Sequence, residues 1–254
     1  MTPRVVFFSS MHVLCGVIAI TIVANGLPSY VPGLDAVRFL LGALPTWCFL
    51  SDALARRRVP GEPLTAATWV TVCRGLLLSL VAGFVLVPRP AGPAAWLPGG
   101  LYVLAALGDG IDGALARRTR STTALGAALD VMTDAVGLVV APLVAVHWGR
   151  LPPWYLALAL AYPAFRAGLR ARRALGLPVF PERLGPDPRA RLFAGVQMGV
   201  VAASLPPMLP TALTWTAATL AMFPTLLLFA AEWRLATRSS PGADADLRAE
   251  RLHA

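Results

Sequence analysis

Apolar runs of about 20 residues follow one another along nearly the whole chain, and each is long enough to cross a hydrocarbon core of about 30 Å as a helix. A chain of 254 residues cannot bury so many such runs in one water-soluble core. The composition points the same way: 57% of residues are apolar and 14% charged, against about 25% charged in an ordinary soluble domain. An all-α, polytopic membrane protein is the expected class.

Read against Pro, Gly and Arg punctuation, the runs fall at 5–25, 36–54, 68–87, 94–116, 122–147, 152–172, 190–208 and 211–233. The first follows a charge, as in a signal peptide, but it is longer than the usual apolar region of about 15 residues and lacks a small-residue cleavage site. It is expected to remain as a span. Arginine gathers at alternate ends of the runs: Arg4, Arg56 to Arg58, Arg117, Arg118, Arg120, Arg170, Arg172, Arg173, Arg183, Arg189, Arg191, Arg234 and Arg238 on one side, against Arg38, Arg89 and Arg150 on the other. The positive-inside rule makes the first side cytoplasmic, which places both termini there and requires an even number of crossings. Eight satisfies it.

The net charge of +9 is therefore a matter of topology, and no nucleic-acid partner is expected. Residues 51–63 either continue the second span as an amphipathic surface helix or end it as a basic stop. Residues 239–254 are expected to form a frayed polar tail. Cys15, Cys48 and Cys73 stand alone in apolar runs, with no disulfide or zinc spacing. His12 and His147 are lone residues suited to structural or interfacial positions.

Four of the 13 acids lie within two consecutive apolar runs: Asp109, Asp112, Asp130 and Asp134. An aspartate at a helix centre costs roughly 2.5 to 3.5 kcal/mol on insertion scales, so four together require compensation. Asp109 and Asp112 are three residues apart and Asp130 and Asp134 four apart, so each pair shares a helix face. The short connection makes the two helices antiparallel neighbours, and their acidic faces are expected to meet near the cytoplasmic surface. Such an all-oxygen cluster suits Mg²⁺ or Mn²⁺ rather than zinc. Two divalent ions balance four carboxylates, and a pair about 3.5–4 Å apart is the usual clamp for phosphoryl transfer. Gly108, Gly110 and Gly113 on one helix, with Gly126 and Gly137 on the other, leave room for a close approach. The rival reading is a cation or proton transporter whose aspartates bind the transported ion.

The run from Asp109 to Asp134 resembles the signature of the CDP-alcohol phosphotransferases, D-x2-D-G-x2-A-R-x8-G-x3-D-x3-D, at all eight fixed positions: Asp109, Asp112, Gly113, Ala116, Arg117, Gly126, Asp130 and Asp134. The resemblance implies a six-helix catalytic membrane core at 59–238, preceded at 1–58 by two additional N-terminal transmembrane helices. It also implies transfer of the phosphoalcohol part of a CDP-alcohol, typically CDP-diacylglycerol, to a hydroxyl with release of CMP. Carried over by position, Asp109, Asp112, Asp130 and Asp134 hold two divalent cations, and Asp134 is also the general base. Gly113 and Arg117 contact the cytidine diphosphate, joined by Thr123 from the undefined stretch. Family resemblance further implies a homodimer, and the topology puts the site on the cytoplasmic face of the cell (inner) membrane.

Two further groups extend the expectation. Thr68, Thr71 and Arg74 share a face at the start of the third run, where the family often has N-x-x-T-x-x-R; Thr68 stands in place of the Asn. Thr71 and Arg74 are nucleotide-site candidates, with snorkelling to the surface as the alternative for Arg74. Arg170 and Arg191, in clusters that loosely resemble the acceptor-phosphate region of phosphatidylinositol-phosphate synthases, are candidates for a phosphate on a small polar acceptor. Inositol phosphate and glycerol 3-phosphate both fit, and a positive-inside stop accounts for the same arginines without any acceptor.

Overall fold

Threonine hydroxyls and prolines set the helix ends in this bundle. Thr65 Oγ1 accepts from the Thr68 N–H at 3.2 Å, and Thr123 Oγ1 accepts from the Gly126 N–H at 3.0 Å. Each hydroxyl satisfies a donor that the first turn of a helix would leave open. Pro206 and Pro207 follow the end of another helix at Ser204, and Pro152 and Pro153 delay the start of a third until Leu156. The sixth and seventh runs are accordingly shorter than expected.

The structure is a computed structural model that describes residues 3–26, 36–57, 65–119, 123–180 and 188–237; within these, the side chains of 3–12, 57, 112–119 and 162–163 lie outside the description. The described residues form eight α-helices: α1 (Pro3–Gly26), α2 (Ala36–Arg57), α3 (Ala66–Gly83), α4 (Leu97–Thr119), α5 (Ala124–His147), α6 (Leu156–Ala174), α7 (Pro188–Ser204) and α8 (Thr211–Thr237). They follow the eight apolar runs in order. Five segments, Ala36–Arg56, Ala66–Leu86, Gly92–Ile111, Ala124–His147 and Thr211–Thr237, are long and apolar enough to cross a membrane by length and composition. In α1 the described apolar stretch is Val13–Gly26, α6 carries Arg166, Arg170, Arg172 and Arg173, and α7 has 17 residues. Among the described residues the chain is thus all-helical, with five helices fit to make it a multi-pass membrane protein. Residues 51–57 continue α2, with an exposed Arg56–Asp52 ion pair at 2.6 Å; the proposed tail at 239–254 lies outside the described residues.

Helix α3 is the hub, packed against α2, α4 and α5, while α1 packs on α2 and α7 on α8. Gly42 allows α2 to approach the Ala82 carbonyl of α3, where a Cβ would collide with backbone. Phe39 of α2 meets Phe84 edge-on at 5.2 Å between ring centroids, and Phe84 meets Trp148 at 6.1 Å. Outside this core the pattern inverts: Leu104, Leu107 and Ile111 on α4, and Leu220, Phe223 and Leu227 on α8, are exposed. Apolar surface of this extent facing outward is what a lipid environment solvates.

At the end of the bundle that holds the α5–α6 connection, Arg150 is a buried clasp. Its Nε donates to Ser204 O at 2.9 Å, Nη2 to Leu209 O at 2.7 Å and to Pro206 O at 3.3 Å, and Nη1 to Thr211 Oγ1 at 3.2 Å. Trp148 Nε1 donates to Val87 O, and Trp215 Nε1 to Gly149 O. These bonds satisfy loop carbonyls that the apolar surroundings would otherwise strand.

Candidate active site

Arg74 is the ninth residue of α3, about 12 Å along the helix at 1.5 Å per residue. Its side chain is only 3% exposed, so the snorkelling alternative is overturned. The guanidinium reaches acids of two other helices: Nη2 lies 2.9 Å from Asp109 Oδ1 on α4 and 2.6 Å from Asp134 Oδ1 on α5, and Nη1 lies 2.7 Å from Asp130 Oδ1. Its Nε donates to Ala105 O at 3.1 Å, which holds the plane of the group. Buried charge inside an apolar bundle is tolerable only when partnered, and here one cation and three anions from three helices partner one another.

Gly108 makes this seat possible. A Cβ there would stand 2.7 Å from Arg74 Cγ and 3.0 Å from Cδ, and the three nearest atoms all belong to Arg74. The glycine that the sequence offers for close approach thus admits the stem of an arginine. Gly137 admits Leu78, and Gly126 lies against the Thr123 and Thr68 hydroxyls, whereas Gly110 borders open space.

Ligand oxygens of Asp109, Asp130 and Asp134 all lie within 4.8 Å of one another. The three side chains are 38–40% exposed, so the cluster opens on one side. A set of close, half-exposed carboxylate oxygens with no nitrogen or sulfur ligand fits a hard divalent cation. The route to this convergence differs from the expected one. Among the described residues α4 and α5 pack chiefly on α3 rather than on each other, so their acidic faces meet over the third helix, with Arg74 between them.

The remaining candidates divide. Asp112, Gly113 and Arg117 lie on α4, and their side chains are outside the described residues. Thr123 caps α5. Thr71 is buried, donates to Ala67 O at 3.2 Å, and lines an apolar crevice with Trp47, Leu50 and Leu54 of α2. Thr68, in the position of the family's Asn, is buried with its hydroxyl 2.9 Å from that of Thr65. Arg170 on α6 and Arg191 on α7 are exposed, and among the described residues neither makes an ion pair with the acidic cluster. Their neighbour Arg172 points elsewhere, donating to Pro178 O and Thr237 O at 3.4 Å. The sequence does not signal Ala105 O as an anchor, because a backbone carbonyl leaves no mark on composition.

The sequence model of the CDP-alcohol phosphatidyltransferase family matches residues 64–229, and the chain belongs to that family. Among curated proteins it is 38% identical over 103 residues to a CDP-diacylglycerol--glycerol-3-phosphate 3-phosphatidyltransferase of Yersinia pestis (strain Pestoides F), covering 39% of this chain and 52% of the relative. A protein of the same name from Sodalis glossinidius (strain morsitans) is 37% identical over the same length and shares. The matched part of the chain spans about half the length of these relatives. No solved structure matches.

Proposed function

We propose that this protein is a divalent-metal-dependent phosphatidyltransferase that moves the phosphatidyl group of CDP-diacylglycerol to a hydroxyl of a small polar acceptor, glycerol 3-phosphate foremost, and releases CMP. The observation that carries the reading is the meeting of Asp109, Asp130 and Asp134 around one buried cation, in a chain whose family transfers phosphoalcohol groups. The names of the relatives support glycerol 3-phosphate over inositol phosphate.

In this reading Asp109, Asp112, Asp130 and Asp134 hold two cations, Mg²⁺ or Mn²⁺, whose charge neutralises the diphosphate and improves CMP as a leaving group. Asp134 takes the proton of the acceptor hydroxyl as its oxygen bonds to the lipid-linked phosphorus and the bond from that phosphorus to the CMP oxygen breaks. Gly113 and Arg117 bind the cytidine diphosphate with Arg74. Thr123 Oγ1 accepts from the Gly126 N–H, which leaves its O–H to donate to a phosphate oxygen. Thr71 gives its proton to Ala67 O, so it serves only as an acceptor. Arg170 and Arg191 draw in the acceptor phosphate.

The proposal also covers the setting: a homodimer in the inner membrane with the site facing the cytoplasm, a catalytic domain at 59–238 and two further N-terminal helices. The test is Mg²⁺-dependent CMP release from CDP-diacylglycerol and glycerol 3-phosphate by the purified chain in detergent. Release that stops on chelation is expected. No release with any acceptor, together with a change in ion flux for Asp134→Asn in vesicles, would establish the transporter instead.

A further inference from the structure

The guanidinium of Arg74 occupies carboxylate oxygens that would hold a divalent ion. One nitrogen, Nη2, lies 2.9 Å from Asp109 Oδ1 and 2.6 Å from Asp134 Oδ1. Divalent ions held by these carboxylates would draw on the same oxygens. Two positive groups that draw on the same oxygens in a poorly polarisable interior repel strongly. We infer that Arg74 is a place-holding cation of the metal-free site, which neutralises the carboxylates in the apolar bundle and must leave its seat before divalent ions fill it. This rests on the reading of the aspartates as a metal site.

The surroundings fit an exchangeable group. Its tethers among the described residues include the hydrogen bond to Ala105 O and the ion pairs with the three carboxylates, and its stem passes Gly108. Metal binding then carries a cost, the eviction of Arg74, and the diphosphate that the proposed reaction brings offers the displaced guanidinium a new anion. Arg74 is on this account a positioning residue that couples metal loading to nucleotide loading, beyond serving as a nucleotide contact.

The experiment titrates Mn²⁺ alone, without nucleotide, into the detergent-purified full chain and reads bound metal from the loss of the free-ion EPR signal. Arg74→Gln removes the competitor, and Gly108→Ala evicts it by placing a methyl 2.7 Å from its Cγ; alanine in a helix interior costs nothing intrinsically, which favours folding of this second variant. Both variants are expected to bind Mn²⁺ about tenfold more tightly than the wild type. Arg74→Lys, which keeps the charge, is expected to stay near the wild type. In Arg74→Gln the metal-free protein should melt lower than the wild type, and saturating Mn²⁺ should close the gap.

A merely structural arginine predicts the opposite sign, because a disordered site binds metal more weakly. Wild-type binding with no gain in affinity in either variant overturns the inference and leaves the metal site intact. No Mn²⁺ binding by any form overturns the metal site itself, and the inference with it.

Discussion

Arg74 on α3 and Asp134 on α5 meet through a 2.6 Å contact between Nη2 and Oδ1, 60 residues apart in sequence. The pair ties α3, the helix on which α2, α4 and α5 pack, to the group proposed to take the acceptor's proton. It also gives Asp134 a fixed position before any substrate arrives.

That fixed position makes Asp134→Asn the sharpest test of chemistry. The amide keeps the shape and still accepts from Arg74 through its oxygen, but it neither takes a proton nor brings a full charge to a metal. General-base removal typically costs 10²- to 10⁴-fold in rate. CMP release should fall by at least about a hundredfold, while the melting temperature in detergent stays close to that of the wild type. Retained turnover would move the general base to another residue.

Arg150 offers a prediction about stability alone. Its guanidinium serves four acceptors from the loop that joins α7 to α8, and hydrogen bonds from a charged donor are worth about 1.5–3 kcal/mol each when the partner is then left stranded. Arg150→Met should destabilise the protein by about 3 kcal/mol or more, read as a lowered melting temperature. Because the clasp joins connections remote in sequence from the acidic faces, turnover per folded molecule should remain.

These residues also mark what the sequence disclosed. The long apolar helices and the aspartate spacing could be read directly, because bilayer thickness fixes the length of a spanning helix and a buried acid in an apolar run is conspicuous. Arg74 was visible as an arginine inside such a run, but its destination was open, since a flexible side chain either snorkels or turns inward according to neighbours that only the packing supplies. Arg150 looked like one of three arginines on the sparse side of the membrane, and its service to four loop acceptors required the α5–α6 and α7–α8 connections to be adjacent. The expected direct pairing of α4 and α5 followed from their short link. Packing set both helices on α3 instead, with the Arg74 guanidinium between their acidic faces, because Gly108 lets the Arg74 stem pass close to α4.

Gly42 tests how far α2 matters to the catalytic region. Its Cβ position collides with the Ala82 carbonyl and has no flexible side chain to push aside. Gly42→Ala should therefore pry α2 from α3 and cost about 1–3 kcal/mol, typical of overpacking. The same change should lower turnover, because α2 walls the crevice that Thr71 and Thr133 line from the α3 and α5 side. A variant that melts and turns over like the wild type would separate the N-terminal helices from the site.

The acceptor is the finest part of the proposal, and the two exposed arginines decide it. Arg170 and Arg191 lie on the helices that run to and from the 175–187 connection, and their charge is available to a phosphate. If they bind the acceptor phosphate, each contributes a charge-assisted bond of about 1.5–3 kcal/mol, or roughly ten- to hundredfold in affinity. Arg170→Ala and Arg191→Ala should then raise KM for glycerol 3-phosphate by that factor and leave KM for CDP-diacylglycerol unchanged. Glycerol without its phosphate should be a poor acceptor for the wild type, and the two variants should lose nothing further with it. Equal losses with both acceptors would assign the arginines to membrane topology alone.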